Sequence, residues 1–353
     1  MNGYQATLMR TRPGVKALVK LTAIIAIAAE FCACSLSETD NANLPYAMIA
    51  TIPTGKVPAA AALDPIDHLL YVSNLADASV SVIDTVTNRL VDTIPVPTGP
   101  LYIGVHPGTH TAYVVCGGTP PNGDGHTVAI IRNRSHDVVR ADTRAGAAGI
   151  AVDPETNRAY VDVGGDSVAA IAGASATVLA EVSVGGGTHP ASFAVDAGRG
   201  DIYAGLNQLS TPESILALDG TTMAVKSSIT VGHASFAIAR DDQSGRLFSV
   251  GRQTDSSQDN VLSVIDGTSV KHTATINEDI LALVVDQSGD LVLAAPQNDR
   301  VVRFIDKHSG EVASTLLVSD ATGFPAVDSQ THKFYLPLPN KNQIVVLGPK
   351  TWN

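Results

Sequence analysis

Two histidines and an aspartate at matched spacing are the residues in this chain whose types could do chemistry together. His189 stands in GGGTHPASF, His233 in TVGHASF and Asp279 in INEDILA. They precede Asp196, Asp241 and Asp286 by seven, eight and seven positions. Lys56 holds a similar offset before Asp64. Two imidazoles and a carboxylate converging on one point suit a divalent cation or a proton transfer. The same groups spread around a rim are ordinary polar lining, and that plainer arrangement is the expectation here. Lys56, His189, His233 and Asp279 are therefore assigned as candidate ligand-binding residues. No catalytic residue, metal ligand or cofactor is assigned.

Other reactive types offer less. His68, His110 and His332 each follow Asp64, His106 or Asp328 by four residues, in turns where exposed polar side chains are expected. Cys116 has no His or basic residue near it in sequence to lower its pKa, so it reads as a small strand residue rather than a nucleophile. Asp241-Asp242 reads as a solvated turn. The chain holds no Walker loop, no Gly-x-Ser-x-Gly elbow, no His-Glu-x-x-His and no Cys/His zinc or haem spacing. Gly185-Gly186-Gly187 precedes no helical pattern and is a turn, not a phosphate cradle.

The elements that must position these residues are strands. The stretch Leu63–Pro97 holds three runs, LLYVSN, SVSVID and RLVDTIPV, rich in Val, Ile and Tyr and parted by Asp/Asn/Thr clusters. With AAAALD before it, this is a four-stranded antiparallel unit. The unit recurs. Asp64, His106, Asp153, Asp196, Asp241, Asp286 and Asp328 close successive inner runs at a period of about 40–45 residues. Seven positions after each stands Tyr71, Tyr113, Tyr160, Tyr203, Phe248, Leu293 or Tyr335. A large side chain at one fixed offset marks a half-buried strand position. The last unit ends without an outer strand, and Ala47–Pro53 (AMIATIP) matches the outer runs VDTIPV and KSSITV. Pairing it with the last unit closes a ring and removes an open edge. The expectation is an all-β, seven-bladed β-propeller over residues 46–353, with four-stranded antiparallel blades and an N-terminal outer strand as the closure.

YVSN at 71–74, SVSVID at 79–84 and DTIPV at 92–96 resemble the YVTN β-propeller repeat family. The likeness weakens along the chain, through YVVC, YVDV, YAGL, FSVG and YLPL, and the motif's Asn survives only as Asn74. The resemblance implies the propeller architecture and little chemistry, since such folds carry many functions.

Residues 1–34 read as a signal peptide. Arg10, Arg12, Lys16 and Lys20 precede the apolar run Leu21–Ala29, which is too short to span a bilayer. Met9 offers an alternative start. The run ends in EFCACS, similar to a lipoprotein cleavage box with Cys34 as the lipidated residue, although Phe31 and Glu30 depart from that pattern. Residues 35–45 form a polar linker. The location expected is extracytoplasmic, in the periplasm or envelope, with the membrane touched only through a lipid anchor.

Function follows from loops and charge. The long insertions, CGGTPPNGDGH at 116–126, GLNQLSTPES at 205–214 and GRQTDSSQDN at 251–260, all join second to third strands. They share one face with the loops joining strand 4 to the next strand 1. Loops on a rigid scaffold carry function. The net charge of −11 opposes binding to nucleic acid. The reading is a monomeric exported scaffold that binds a protein, peptide or glycan on this face. The alternative is an enzyme with its site at the channel mouth, of the lactonase, lyase or metal- or quinone-dependent oxidoreductase type found on related propellers.

Overall fold

The computed structural model describes residues 45–117, 127–133, 135–143, 149–185, 190–207, 213–253, 260–276 and 278–350. The proposed signal segment, nearly all of the linker, most of the three long insertions and His189 lie outside the described residues. Seven four-stranded antiparallel sheets stand in a ring. Blade 1 spans 58–95, blade 2 100–142, blade 3 150–183, blade 4 190–230, blade 5 237–275 and blade 6 280–317. Blade 7 takes three strands from 326–349 and its outer strand from Tyr46–Pro53. That outer strand pairs antiparallel with Gln343–Pro349, from Tyr46 opposite Pro349 to Pro53 opposite Gln343. The only helices among the described residues are the single 3₁₀ turns Pro107–Thr109 and Pro339–Lys341.

The core is divided among the seams. Each hydrophobic cluster joins two neighbouring blades, such as Tyr113, Val115 and Val128 of blade 2 with Ala159, Val161 and Ile171 of blade 3. Second strands are consequently apolar on both faces. Leu69–Asn74 and Thr111–Cys116 are buried along their whole length. The recurring ring is therefore more enclosed than a half-buried site. Tyr71, Tyr113, Tyr160, Phe248, Leu293 and Tyr335 are fully buried, and only Tyr203 keeps partial exposure. Outer strands such as Arg89–Pro95 stay exposed along most of their length.

Burial of tyrosine demands partners for its hydroxyl. Tyr113 Oη donates to the Asn157 backbone carbonyl at 2.9 Å, and Tyr160 Oη to the Gly220 carbonyl at 2.8 Å, each in the next blade. Glycine makes room for them. A Cβ on Gly173 would meet Tyr113 Oη at 1.9 Å, and one on Gly220 would meet Tyr160 Oη at 2.8 Å. Blade 5 carries Phe248 instead, and the following blade has Lys307 at the equivalent place. Its buried ammonium donates to Asp241 Oδ1 at 3.1 Å and to the Asp286 carbonyl at 3.1 Å.

The recurrent acid is a turn cap. Asp64 Oδ1 accepts from the Ile66 and Asp67 amides, and Asp153 Oδ1 from those of Glu155 and Thr156. His106 does the same work with a ring nitrogen, Nδ1 accepting from the Thr109 amide at 3.1 Å. Self-bonding to the backbone two or three residues on is the reason Asp is favoured in such turns.

Candidate functional site

Each of the three described residues of the predicted set has its partners in a hairpin beside it. Lys56 is 73% exposed, and its Nζ lies 3.9 Å from Asp77, in the second-to-third-strand turn of its own blade. Asp279 Oδ1 accepts from Asn260 Nδ2 at 2.9 Å and lies 3.4 Å from Arg252, at the base of the blade 5 insertion. His233 is 1% exposed. Its Nδ1 donates to the Ala234 carbonyl at 2.9 Å, and its Nε2 meets Ser263 Oγ at 3.0 Å. Desolvation lowers its pKa, so the ring is held neutral. In blade 1 the matching serine, Ser81, instead accepts from Asn74 Nδ2 at 2.9 Å. His233 and Asn74 thus solve the same local problem, satisfying a buried third-strand hydroxyl. Cys116, at the Asn74 position, is buried with its Sγ near the Val114 carbonyl.

The space between the blades lies at the start of the inner strands. Residues from all seven blades enclose a cavity of about 160 Å³ on the ring axis. Tyr102, Phe193, Phe236 and Phe324 supply rings, and the Tyr102 and Phe324 centroids are 4.7 Å apart. Ala60, Gly149, Ala191 and Ala237 leave the room between them. Among the described residues, Tyr102 and Ser192 are the only polar side chains in this lining. Its position is fixed by strand register. Ala60 pairs with Ser73, Tyr102 with Val115, Ala237 with Val250 and Ala282 with Ala295, all near the ends of second strands. The long second-to-third-strand connections leave from those ends. The cavity therefore lies toward the end of the ring from which those connections leave. The sequence signal for it was an aromatic at or just before the start of an inner run, as in HPASF, HASF and GFP.

One ionisable group sits behind this lining. Asp162, buried at the end of a second strand, accepts from the Gly164 amide at 2.8 Å. Desolvation raises its pKa to about 7. The pKa of Tyr102 is raised by burial and further by the Asp162 charge. An apolar socket with aromatic walls holds an apolar side chain well, because it removes that surface from water without stranding polar atoms. It offers a sugar's hydroxyls few partners.

Known structures share this architecture at low identity. Hydrazine synthase from Kuenenia stuttgartiensis superposes with a TM-score of 0.70 at 13% identity, over 90% of this chain and 98% of that one. The Cps50 (Swd1) β-propeller domain of Myceliophteria thermophila gives 0.72 at 11% identity, over 87% and 100%. Raptor from Chaetomium thermophilum gives 0.69 at 14% identity over 87% of this chain, which spans only 29% of Raptor. No protein-family model and no curated protein matches the sequence. What these likenesses show is the fold: an all-β, seven-bladed β-propeller.

Proposed function

We propose that this protein is an exported propeller of the YVTN-repeat type that binds a protein or peptide by taking one of its apolar side chains into the axial socket. The observation that carries the reading is the socket itself, apolar, lined by four aromatic residues and lying near the ends of the second strands from which the long loops leave. The loops would supply the polar rim and the socket the buried anchor, the usual division of labour in an interface. Among the described residues few hydrogen-bonding side chains line the socket, which argues against a glycan as the inserted group. The negative net charge argues against nucleic acid. Export rests on the basic-then-apolar segment before residue 34 and on Cys34 as its lipidation candidate. Among the described residues no helix is long and apolar enough to cross a membrane.

The test is panning a random peptide library against the purified protein. Enriched peptides should share an aromatic or long aliphatic residue. Phe236→Asp puts a carboxylate at the mouth and should weaken them more than tenfold while leaving the melting temperature near wild type. His308→Ala, in an exposed turn on the opposite face, should leave affinity unchanged. Peptides that bind Phe236→Asp as well as wild type would sink the reading, as would a screen that enriches only glycans.

A further inference from the structure

The turns on the face away from the insertions carry a cluster at the seam of blades 1 and 2. The turn acids set its background. In blades 3, 5 and 7 the residue three places after the acid is Thr156, Ser244 or Thr331. Its hydroxyl donates to the carboxylate at 2.6, 2.6 and 2.7 Å. In blade 1 the same place holds Asp67. A carboxylate has no proton to donate, and it brings a second negative charge against Asp64, whose side chain is fully buried. His110, from the turn of blade 2, faces both. Its Nδ1 lies 2.7 Å from Asp64 Oδ2 and 3.2 Å from Asp67 Oδ2. One atom from each residue falls within 4.8 Å of the other two.

The repeat contains its own control. At the seam of blades 6 and 7, His332 Nδ1 meets Asp286 Oδ2 at 2.6 Å, the same pair in the same turns. There the place of Asp67 is taken by Gly289, where a Cβ would meet Asp286 Oδ2 at 2.3 Å. An imidazole and one carboxylate thus suffice to join two blades, and they close up with no space for a third group. The second carboxylate of blade 1 needs another reason. Two anionic oxygens and an imidazole nitrogen converging on one point create a demand for positive charge.

We propose that Asp64, Asp67 and His110 bind a divalent cation of the zinc class and so brace blade 1 to blade 2. Zinc at 2.0–2.2 Å from each ligand sets tetrahedral ligand atoms about 3.4 Å apart, a small expansion of the 2.7 and 3.2 Å from His110 Nδ1 to the two carboxylate oxygens. Asp64 Oδ1 is held by two backbone amides, which fixes the carboxylate and leaves Oδ2 as donor. The side chains of Asp67 and His110 are 23% and 27% exposed, which leaves a side open for water as the fourth ligand. The imidazole favours zinc over Mg²⁺ or Ca²⁺, which take oxygen donors.

The experiment uses the purified full chain, stripped with EDTA and titrated with Zn²⁺ in excess Mg²⁺. One zinc per chain should bind and raise the melting temperature by mass action. Asp67→Gly installs the residue that blade 6 uses and keeps the His110–Asp64 pair, so it should fold. Losing an outer partner of a metal ligand already costs roughly 10–100-fold in affinity, and this variant, which loses a ligand, should fall at least that far. His332→Ala should bind zinc as wild type does. A wild-type melting temperature indifferent to both Zn²⁺ and EDTA would mean that an imidazolium alone neutralises the pair, and would overturn the proposal. Zinc retained by Asp67→Gly, or lost by His332→Ala, would overturn it equally.

Discussion

Asp162 and His233 are buried groups whose charge states the fold controls in opposite pH windows. The folded pKa of Asp162, about 7, lies above its unfolded value of about 3.9. The native state holds the proton more tightly, so its stabilising effect is full below about pH 4 and is lost as pH rises through 7. Asp162→Asn keeps an acceptor for the Gly164 amide and removes the charge. It should be more stable than wild type at pH 8 by on the order of 2–4 kcal/mol and nearly equal at pH 4. Urea unfolding at the two pH values checks this, and equal differences at both would refute it. His233 behaves the other way. Its pKa is depressed by desolvation, so as pH falls below about 6.5 the unfolded chain takes up a proton before the native one does. Wild type should lose stability between pH 6.5 and 5 relative to His233→Gln. Parallel curves for the two proteins would show that the ring is not desolvated.

Strands meet at seams, and the seams use two different chemistries. Where the second strand offers Tyr113 or Tyr160, the next blade answers with Gly173 or Gly220. Gly173→Ala should cost about 1–3 kcal/mol through the clash with Tyr113 Oη, as overpacked sites do. Adding Tyr113→Phe should return part of it by removing the hydroxyl. A thermal melt of the single and double variants tests the pairing, and a double variant less stable than Gly173→Ala would disprove it. Where the second strand offers Phe248, Lys307 crosses the seam to the buried Asp241. Lys307→Met leaves that carboxylate without its ammonium, a change that typically costs about 3–5 kcal/mol. Lys307→Met combined with Asp241→Asn should recover much of the loss. If the double variant is as unstable as the single, the pair is not what holds the seam.

Ring closure belongs to the whole molecule. Tyr46 stacks on Phe304 of blade 6 at 4.7 Å and meets Phe334 of blade 7 edge-on at 5.5 Å, so the N-terminal strand locks two blades at once. Deleting 47–53 should expose the edge of Gln343–Pro349 and produce aggregation or a large fall in melting temperature. The antiparallel pairing of Tyr46 with Pro349 also allows a permuted chain. Moving Tyr46–Pro53 behind Pro349 through a short turn, with Thr54 as the new start, should give a propeller that melts within a few degrees of wild type. A permutant that fails to fold would mean that the strand must be present when the first blade forms. The export proposal is tested at the same scale. Cys34→Ser should move the protein from the membrane fraction to the soluble extracytoplasmic fraction, and a wild type already soluble there would reject lipidation.

The architecture was legible in the sequence because every blade solves the same local problems with the same residue types. A turn needs a cap, hence the recurring Asp. A doubly covered second strand needs a large apolar filler, hence the ring seven residues on. An unpaired edge needs a strand, hence AMIATIP at the start. These are short-range requirements, and they repeat. The partners of polar groups were not legible, because they lie across seams, on blades some 45 residues away. His110 looked like an exposed turn residue, yet it faces the buried Asp64 of the preceding blade. His233 looked like a group at the channel mouth, yet its ring turns into the hairpin to satisfy Ser263. Lys307 carried no signal at all, although its ammonium is among the most buried charges described. The character of the axial socket was decided in the same way. The sequence placed polar residues in the loops leading to the axis, but the lining is made by Tyr102 and Phe193 within inner strands and by Phe236 and Phe324 just before them. Only the ring brings those four from different blades to one lining.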